Sequence, residues 1–397
     1  MLERREFLLA LGAAGLAPAL LGASAKDPVA DVLDYALVLS GGGARGAYEA
    51  GLVGALVAMG SVSDGVALAP YELVCGTSIG ALNGWFVATA QYTKMRKLWN
   101  GISGEYLMQP KPQYAPLRDP ESGVIDRAIA AVQITGLVRN QTAILESKPV
   151  YDWIVRNIDP NAPLVIPLVW AVTNLTLQRP EYFYLSKNGG VALPERVVSA
   201  LRLTLGPHTI VREATPDLLH SAIFASAALP IVFDPVEMPG PDGTINQYCD
   251  GGVASNSPVG IAHATSKAAD VVLLDPPFEP DSDLSDAVEI AFSVFGTMQR
   301  KIFESEMRNV YAQSLGRRSF DRLTQKEAAR AVHGNVPLSR FIDNLPITDL
   351  RFIRPEKELP VRVAGFEDQE GINKAYDIGW TDVGRGFTAY DYSTFQL

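Results

Sequence analysis

The chain has 397 residues, of which 47% are hydrophobic and 20% charged, and its formal net charge is −10. This length suits one large domain or two ordinary ones, and the apolar fraction excludes a disordered, collagen-like or coiled-coil architecture. The acidic balance supplies no positive field for a phosphate backbone, so we expect no nucleic-acid partner. Two cysteines and four histidines without metal-site spacing predict neither a disulfide framework nor a metal site.

Residues 1–25 have the features of an export signal. Arg4 and Arg5 precede an apolar run over residues 7–22, and small residues follow it. This is the order of a charged start, a hydrophobic middle and a cleavage site. The Arg-Arg-x-Phe-Leu pattern resembles twin-arginine signals, and the run is too short to span a bilayer permanently. We therefore expect a protein that is exported, periplasmic or secreted, after the signal is removed.

The mature chain begins with two strand–turn–helix units. Residues 35–40 form a short apolar run without alternation, which is typical of a strand buried on both faces, and a helix is predicted over 47–59. Residues 71–75 and 81–92 repeat the pattern around a second glycine turn. Tandem units of this kind predict an α/β fold in which helices cover a largely parallel sheet.

The rest of the chain continues the α/β pattern. Four prolines over residues 100–125 indicate an irregular surface excursion and a candidate lid. Further strands are predicted over residues 164–173, 181–185, 231–237, 245–249 and 271–274, and helices over residues 194–205, 217–227 and 284–315. No linker marks a second unit, so we expect one domain over 30–397, with an irregular insertion at about 100–163 and a helical extension at about 284–397.

A Gly-Thr-Ser-Ile-Gly sequence at residues 76–80 separates the second predicted strand from its helix. A nucleophilic hydroxyl must stand clear of the backbone at a sharp turn, and flanking glycines remove the Cβ atoms that would collide there. The helix also directs its positive end at the place where negative charge develops. This position favours Ser78 as a nucleophile over a simple helix cap.

A Gly-Gly-Gly-Ala-Arg-Gly sequence at residues 41–46 lies between the first strand and the first helix. Successive backbone N–H groups at a helix start bind either a phosphate or an oxyanion. The sequence also matches a dinucleotide-binding pattern, but the acidic residue that should end the second strand is missing. A nucleotide-binding oxidoreductase is therefore the less favoured alternative.

The third motif is Asp250-Gly251-Gly252, which follows the strand predicted over 245–249. Most such sequences are plain turns. A serine nucleophile, however, needs a base within hydrogen-bonding reach, and a carboxylate at a neighbouring strand end could supply it. Asp250 is therefore the candidate base.

Taken in order, these three motifs resemble the patatin-like phospholipase family, and residues 37–41, 226–230 and 256–258 are similar to it as well. The resemblance spans residues 35–274. It implies a three-layer α/β/α patatin-like fold with a largely parallel central sheet, and a Ser/Asp dyad without a catalytic histidine. Ser78 would attack a fatty acyl ester and form an acyl-enzyme, with Asp250 taking the serine proton.

The resemblance also implies a role for the glycine loops, with no metal and no other cofactor. The oxyanion hole would comprise Gly42, Gly43, Ala44 and Arg45, and the motif glycines would be Gly41, Gly46, Gly76, Gly80, Gly251 and Gly252. The partner is a lipid or acyl-ester substrate. Because the chain is acidic, any transient contact with a membrane surface would have to use apolar patches. Acyl-chain length, headgroup and oligomeric state are not encoded in these motifs.

Two further alternatives remain open. An α/β-hydrolase esterase would use a Ser-Asp-His triad, for which His263 and His333 follow Asp250 in the required order, whereas His208 and His220 precede it. A non-catalytic lipid-binding module is the other.

The two cysteines lie beside the candidate dyad in the sequence. Cys75 precedes the serine turn and Cys249 directly precedes Asp250, so the thiols would be close if their strands were neighbours. Buried free thiols are favoured over a disulfide, although an exported protein could form one.

Overall fold

The computed structural model describes residues 33–102, 104–114, 143–185, 193, 195–205, 209–276, 287–321, 346–363 and 365–390. The predicted export signal and the second half of the proline-rich stretch lie outside these ranges. Within them, no helix combines the length and the apolarity that a membrane crossing requires.

The described strands form one ten-stranded mixed sheet, in the order β10-β9-β8-β1-β2-β3-β4-β5, with β7 paired to β3 and β6 paired to β7. The central strands β9, β8, β1, β2 and β3 are parallel to one another. The strands are β1 (Leu33–Leu39), β2 (Leu73–Thr77), β3 (Leu168–Asn174), β4 (Arg179–Leu185), β5 (Ile210–Glu213), β6 (Val236–Pro239), β7 (Ile245–Asp250), β8 (Ser266–Val272), β9 (Asp349–Ile353) and β10 (Thr388–Ala389).

Helices cover both faces of this sheet. They are α1 (Gly46–Met59), α2 (Ile79–Ala88), α3 (Tyr92–Asn100), α4 (Gly104–Leu107), α5 (Ser147–Asn157), α6 (Glu195–Thr204), α7 (Pro216–Ala227), α8 (Val259–Thr265), α9 (Ala287–Asp321) and α10 (Gln369–Asp382). The predicted three-layer α/β/α fold with a largely parallel central sheet is confirmed.

Two apolar layers explain why the first strand shows no alternation in sequence. Leu37 and Leu39 pack in one core cluster, with α1, α2, α7 and α10. Ala36 and Val38 pack in the other, with α6, α8 and α9. Since both faces of β1 are covered, every position in its second half is apolar and fully buried.

The C-terminal region is more than the helical extension expected from the sequence. It contributes β9 and β10 to the sheet edge as well as α9 and α10. Helix α10 packs closely on α1 because glycines lie at the contact: a Cβ on Gly51 would meet the carbonyl oxygen of Tyr376 at 1.9 Å, and one on Gly379 would meet that of Tyr48 at 2.0 Å. The sheet and α1 are therefore completed by residues far from the N-terminal motifs.

Two predicted elements differ from the structure near the site. The strand predicted over 231–237 begins only at Val236, because Ile231 adopts a positive φ of 72° in a turn. The helix predicted over 81–92 ends at Ala88, and α3 starts after a left-handed Ala90 with φ 48°. Both breaks are backbone reversals at non-glycine residues, which sequence patterns rarely reveal.

Both cysteines are free and buried. Cys75 is on β2 and Cys249 on β7, and each strand pairs with β3 rather than with the other. Because the two strands are not neighbours, the condition for a Cys75–Cys249 disulfide is not met, and the favoured prediction of buried free thiols is confirmed.

Candidate active site

Ser78 and Asp250 meet because two strands end head-on along one edge of β3. Strand β2 pairs with β3 in parallel as far as Thr77 opposite Ala171, and Ser78 follows. Strand β7 pairs with β3 in antiparallel fashion and ends with Asp250 opposite Val172. Strand β4 occupies the other edge of β3, so β2 and β7 share one edge. Consecutive residues of β3 thus bring the two side chains into hydrogen-bonding reach of each other.

Ser78 is held in a strained backbone conformation, with φ 54° and ψ −124°. Such geometry persists in a non-glycine residue only where the surroundings enforce it, and it is common at nucleophiles. Here the Ser78 N–H donates to Oγ of Ser226 at 2.9 Å, and that hydroxyl donates to the carbonyl of Ala171 at 2.7 Å. Helix α2 begins at the next residue and directs its N-terminus at the serine.

Asp250 is a buried carboxyl group with few stabilising partners. The residue is 2% exposed, and its carboxylate accepts a hydrogen bond from the Gly252 N–H at 2.6 Å. Burial raises the pKa of Asp250 from 3.8 to about 7, although the Gly252 N–H and Ser78 oppose this shift. A base whose pKa lies near neutrality is well matched to accept a hydroxyl proton at physiological pH.

The motif glycines all lie where the backbone of one segment touches another. A Cβ at each of them would come within 2.2–2.5 Å of a neighbouring atom, at Gly41, Gly46, Gly76, Gly80, Gly251 and Gly252. At Gly80 this atom is the carbonyl oxygen of Leu39, and at Gly251 it is that of Ala171. Glycine is therefore needed for close backbone packing at Gly76, Gly80 and Gly251, whereas at Gly41, Gly46 and Gly252 the contacted atom belongs to a side chain.

The glycine-rich loop leaves only some of its N–H groups free for an oxyanion. The Ala44 N–H donates to the carbonyl of Val363 at 2.9 Å, and the Arg45 N–H donates to the carbonyl of Gly42 at 3.2 Å. No acceptor within the described part of the chain engages the N–H of Gly42 or Gly43. Of the four residues implied by the family resemblance, Gly42 and Gly43 are thus the ones with available backbone donors.

The Arg45 side chain points to carboxylates on other segments. It forms ion pairs with Asp275 at 2.7 Å and Glu358 at 3.3 Å, and it donates to the carbonyl of Val361 at 3.4 Å. Both carboxylates are half-exposed or more, so each pair alone stabilises the fold weakly. The guanidinium group therefore links the loop to the C-terminal region.

Ser226 and Asn256 have structural roles that the sequence did not reveal. Both occur in segments that resemble the family, but the sequence does not indicate which residues they contact. Asn256 accepts the Gly41 N–H on its backbone carbonyl at 2.9 Å, and a Cβ on Gly41 would lie 2.4 Å from Asn256 Oδ1 and 3.2 Å from Cβ of Ser78. Asn256 therefore lies between the glycine-rich loop and the serine turn.

A buried polar network fixes the start of the glycine-rich loop. The Ser40 N–H donates to Glu49 at 2.7 Å, and the Asn83 amide donates to the same carboxyl group at 3.0 Å. The Trp99 indole donates to Asn83 at 2.9 Å. Because Ser40 directly follows β1 and the other three residues lie on α1, α2 and α3, the network ties the loop to the helices that flank it.

We expect Gly43→Ala to lower kcat by about 10²-fold, as loss of one oxyanion donor does in acyl-transfer enzymes. Gly43 has φ 57°, and a Cβ there would lie 2.0 Å from the carbonyl oxygen of Val363, so the loop must move. Gly243→Ala is the matched control, since Gly243 has φ 83° and no atom within 4 Å of its Cβ position. Both variants should lose about 1 kcal/mol of stability from backbone strain, and Gly43→Ala should lose more because of the contact with Val363. Equal kcat values for the two would contradict a role for the loop.

The described histidines make contacts away from Ser78 and Asp250. His263 is buried and contacts Thr348 and Gln313, each at 3.2 Å, and burial lowers its pKa to about 4. His220 contacts the carbonyl of Ile158 at 2.8 Å. His208 and His333 lie outside the described residues. Among described residues, no group of three or more His, Cys, Asp and Glu is arranged to hold a metal ion.

Comparison with known proteins places the chain in a family. No curated protein matches its sequence. Among solved structures it is similar to VipD from Legionella pneumophila, at 15% identity over 91% of this chain and 68% of that one, with a TM-score of 0.34, which is too low to support an inference. A family model, "Patatin-like phospholipase", matches residues 37–263, more than half of the chain. The chain therefore belongs to the patatin-like phospholipase family, whose members are lipid acyl hydrolases.

Proposed function

We propose that the protein is a serine acyl hydrolase that cleaves fatty acyl esters of phospholipids or other lipids through an acyl-Ser78 intermediate. The observation that carries this proposal is the head-on approach of β2 and β7, which brings the Ser78 hydroxyl to the buried Asp250 carboxyl group. Family membership supports a lipid substrate. The dyad adds the chemistry that such a substrate requires.

In the proposed reaction, Oγ of Ser78 attacks the acyl carbon while Asp250 takes the hydroxyl proton. The carbonyl oxygen becomes an oxyanion, and the N–H groups of Gly42 and Gly43 donate to it. Collapse of the tetrahedral intermediate breaks the bond to the alcohol, which leaves with the proton held by Asp250. Water then attacks the acyl-serine with the same base, releasing the fatty acid and restoring Ser78.

Burial of the dyad serves this chemistry in two ways. It raises the basicity of Asp250 relative to an exposed aspartate, because the charged form loses hydration. It also strengthens the hydrogen bonds from the loop N–H groups to a developing negative charge, because little water competes for them. The N-terminus of α2 adds a favourable dipole at the same place.

The direct test is release of fatty acid by the purified protein. Phospholipids, lysophospholipids, triacylglycerols and monomeric acyl esters with labelled acyl chains should be compared in parallel. We expect turnover of at least one class and transfer of its label to Ser78 in a rapid quench. The proposal fails if none is hydrolysed and no acyl-serine forms.

A histidine substitution separates the dyad from a Ser-Asp-His triad. We expect His263→Ala to keep kcat within about twofold of the wild type, because His263 bonds only residues away from Ser78. It should lower the Tm, since the change leaves a cavity and an unpaired buried amide at Gln313, whereas Thr348 still donates to the carbonyl of Ser266. Loss of activity comparable to that of Ser78→Ala, with the fold intact by circular dichroism, would favour the triad.

Export through residues 1–25 is a separate proposal that rests on sequence alone. Fractionation of the producing cells tests it, because mature protein confined to the cytosol would contradict it.

A further inference from the structure

Two side chains of the long helix α9 reach the segment that follows the dyad aspartate. The Gln299 amide donates to Oδ1 of Asn256 at 2.9 Å, and the Ser255 hydroxyl donates to Glu306 at 2.5 Å. Gln299 and Glu306 are seven residues apart, which is two helical turns, so they lie on the same face of α9. One helix face therefore holds two consecutive residues, Ser255 and Asn256.

That segment is bonded to both halves of the candidate catalytic machinery. The Thr77 hydroxyl, one residue before the nucleophile, donates to the carbonyl of Ser255 at 2.8 Å. The Gly41 N–H, at the start of the glycine-rich loop, donates to the carbonyl of Asn256 at 2.9 Å. A displacement of residues 255–256 would therefore move the serine turn and the oxyanion loop together.

Gln299 also lies beside the base. The position that a Cβ on Gly252 would occupy is 2.5 Å from Nε2 of Gln299 and 2.8 Å from both Oδ1 of Asp250 and Oδ1 of Asn256. The amide of Gln299 thus lies next to Asp250 on the side of the candidate dyad that faces α9. It carries no charge, so it orders this side without a cation that would lower the basicity of Asp250.

We propose that Gln299 and Glu306 are positioning residues for the acyl transfer, acting through Ser255 and Asn256 to set the relative placement of Ser78 and the glycine-rich loop. This inference rests on the proposed function. Both residues lie beyond 263, where the family match ends, so the catalytic unit of this chain includes a helix of its own C-terminal region.

The two contacts differ in the chemistry they need. Gln299 must donate a hydrogen bond, because Oδ1 of Asn256 is an acceptor. Glu306 must accept one from Ser255, and burial raises its pKa to about 8, which favours the neutral carboxylic acid at pH 7. A neutral amide of the same shape can replace Glu306 but an apolar side chain cannot.

The test for Gln299 compares Gln299→Leu with Gln313→Leu. Gln313 lies on the same helix and bonds His263 instead of the 255–256 segment. We expect Gln299→Leu to lower kcat by 10- to 100-fold, roughly the cost of a small misplacement of reacting groups, with KM changed less than twofold. Gln313→Leu should keep kcat within twofold. Equal kcat losses, or a loss confined to KM, would overturn the assignment.

The test for Glu306 uses a conservative and a non-conservative change. Glu306→Gln should keep kcat within about twofold, whereas Glu306→Leu should lower it about tenfold because Ser255 loses its acceptor. Failure of Glu306→Gln to retain activity at matched Tm would argue for a proton-transfer role instead and would refute positioning.

A fluorophosphonate separates failure of this inference from failure of the proposed function. Its reaction with Ser78 needs the base and the oxyanion loop but no lipid recognition, and intact mass reports it. If the wild type does not react, the proposed function is wrong. If the wild type reacts and folded Gln299→Leu reacts at the same rate, only the positioning role is wrong. Should Gln299→Leu fail to fold, Gln299→Met, which keeps the length but cannot donate, must show the same tenfold or larger loss of rate.

Discussion

Ser78→Ala should abolish acyl ester hydrolysis, with a loss in kcat of at least about 10⁴-fold. Without the hydroxyl no acyl-enzyme can form, and the remaining oxyanion donors and buried carboxyl group cannot replace a covalent step. The fold should persist, because the Ser78 contacts that shape the turn are made by its backbone N–H to Ser226. Both predictions are checked by fatty acid release and by circular dichroism melting.

Ser61→Ala is a suitable control for this variant. Ser61 is an exposed serine with a similar positive φ of 51°, so the substitution has the same chemical and conformational character. It should keep full activity and should react with a fluorophosphonate at the wild-type rate. If Ser78→Ala retained near wild-type turnover, another nucleophile or a different mechanism would have to operate.

Asp250→Asn should lower kcat by about 10³-fold, which is typical of removing a general base. The amide keeps the size of the side chain and its oxygen can still accept the Gly252 N–H, so the geometry should survive. In the wild type, kcat/KM should rise with pH and level off above about 7, because only the ionised carboxylate takes the serine proton. The variant should show no such rise, and an identical pH profile in both proteins would rule out Asp250 as the base.

The same substitution should stabilise the protein at neutral and alkaline pH. Burial raises the pKa of Asp250 from 3.8 to about 7, so between these values the folded chain holds a proton that the unfolded chain has lost. Stability from this group is therefore full below about pH 4 and declines as the pH rises to about 7. Asparagine does not titrate, so the Tm difference between variant and wild type should grow over this interval and stay constant above it.

The Tm difference between Asp250→Asn and the wild type measures how much stability the protein loses by burying the Asp250 carboxylate. Other buried acids, such as Glu49 and Glu306, titrate in both proteins and cancel in the difference. A gain in Tm together with a loss in kcat is the signature of a group kept for function at the expense of stability. If Asp250→Asn melted at a lower temperature than the wild type at pH 8, burial of the ionised carboxylate would not destabilise the fold.

Local patterns predicted the elements around the three motifs well. The segments predicted over 35–40, 47–59 and 245–249 correspond to β1, most of α1 and β7. In β1 and α1 the apolar pattern reflects burial over most of the segment, whereas β7 alternates exposed and buried residues in its first half. Elements with little pattern were not predicted. Strand β9, for example, alternates buried and exposed positions over only five residues.

The motifs also predicted which residue types form the candidate site, but not which donors remain available. Ala44 was grouped with the oxyanion hole, yet its N–H is bonded to Val363, a residue more than 300 positions away. No pattern in the neighbouring residues predicts such a contact. The same holds for Gln299 and Asn256, whose partnership depends on where α9 crosses the sheet.

The sequence by itself predicted the layered α/β architecture, the turn that carries the candidate nucleophile, the glycine-rich loop and the candidate base, because strand burial and glycine turns depend on neighbouring residues. Only the tertiary structure decided that Ser78 and Asp250 meet. Their approach depends on β2 and β7 ending at consecutive residues of β3, and such register is set by long-range strand pairing. The raised pKa of Asp250 also has no origin in local sequence, since it follows from the segments that enclose the carboxyl group.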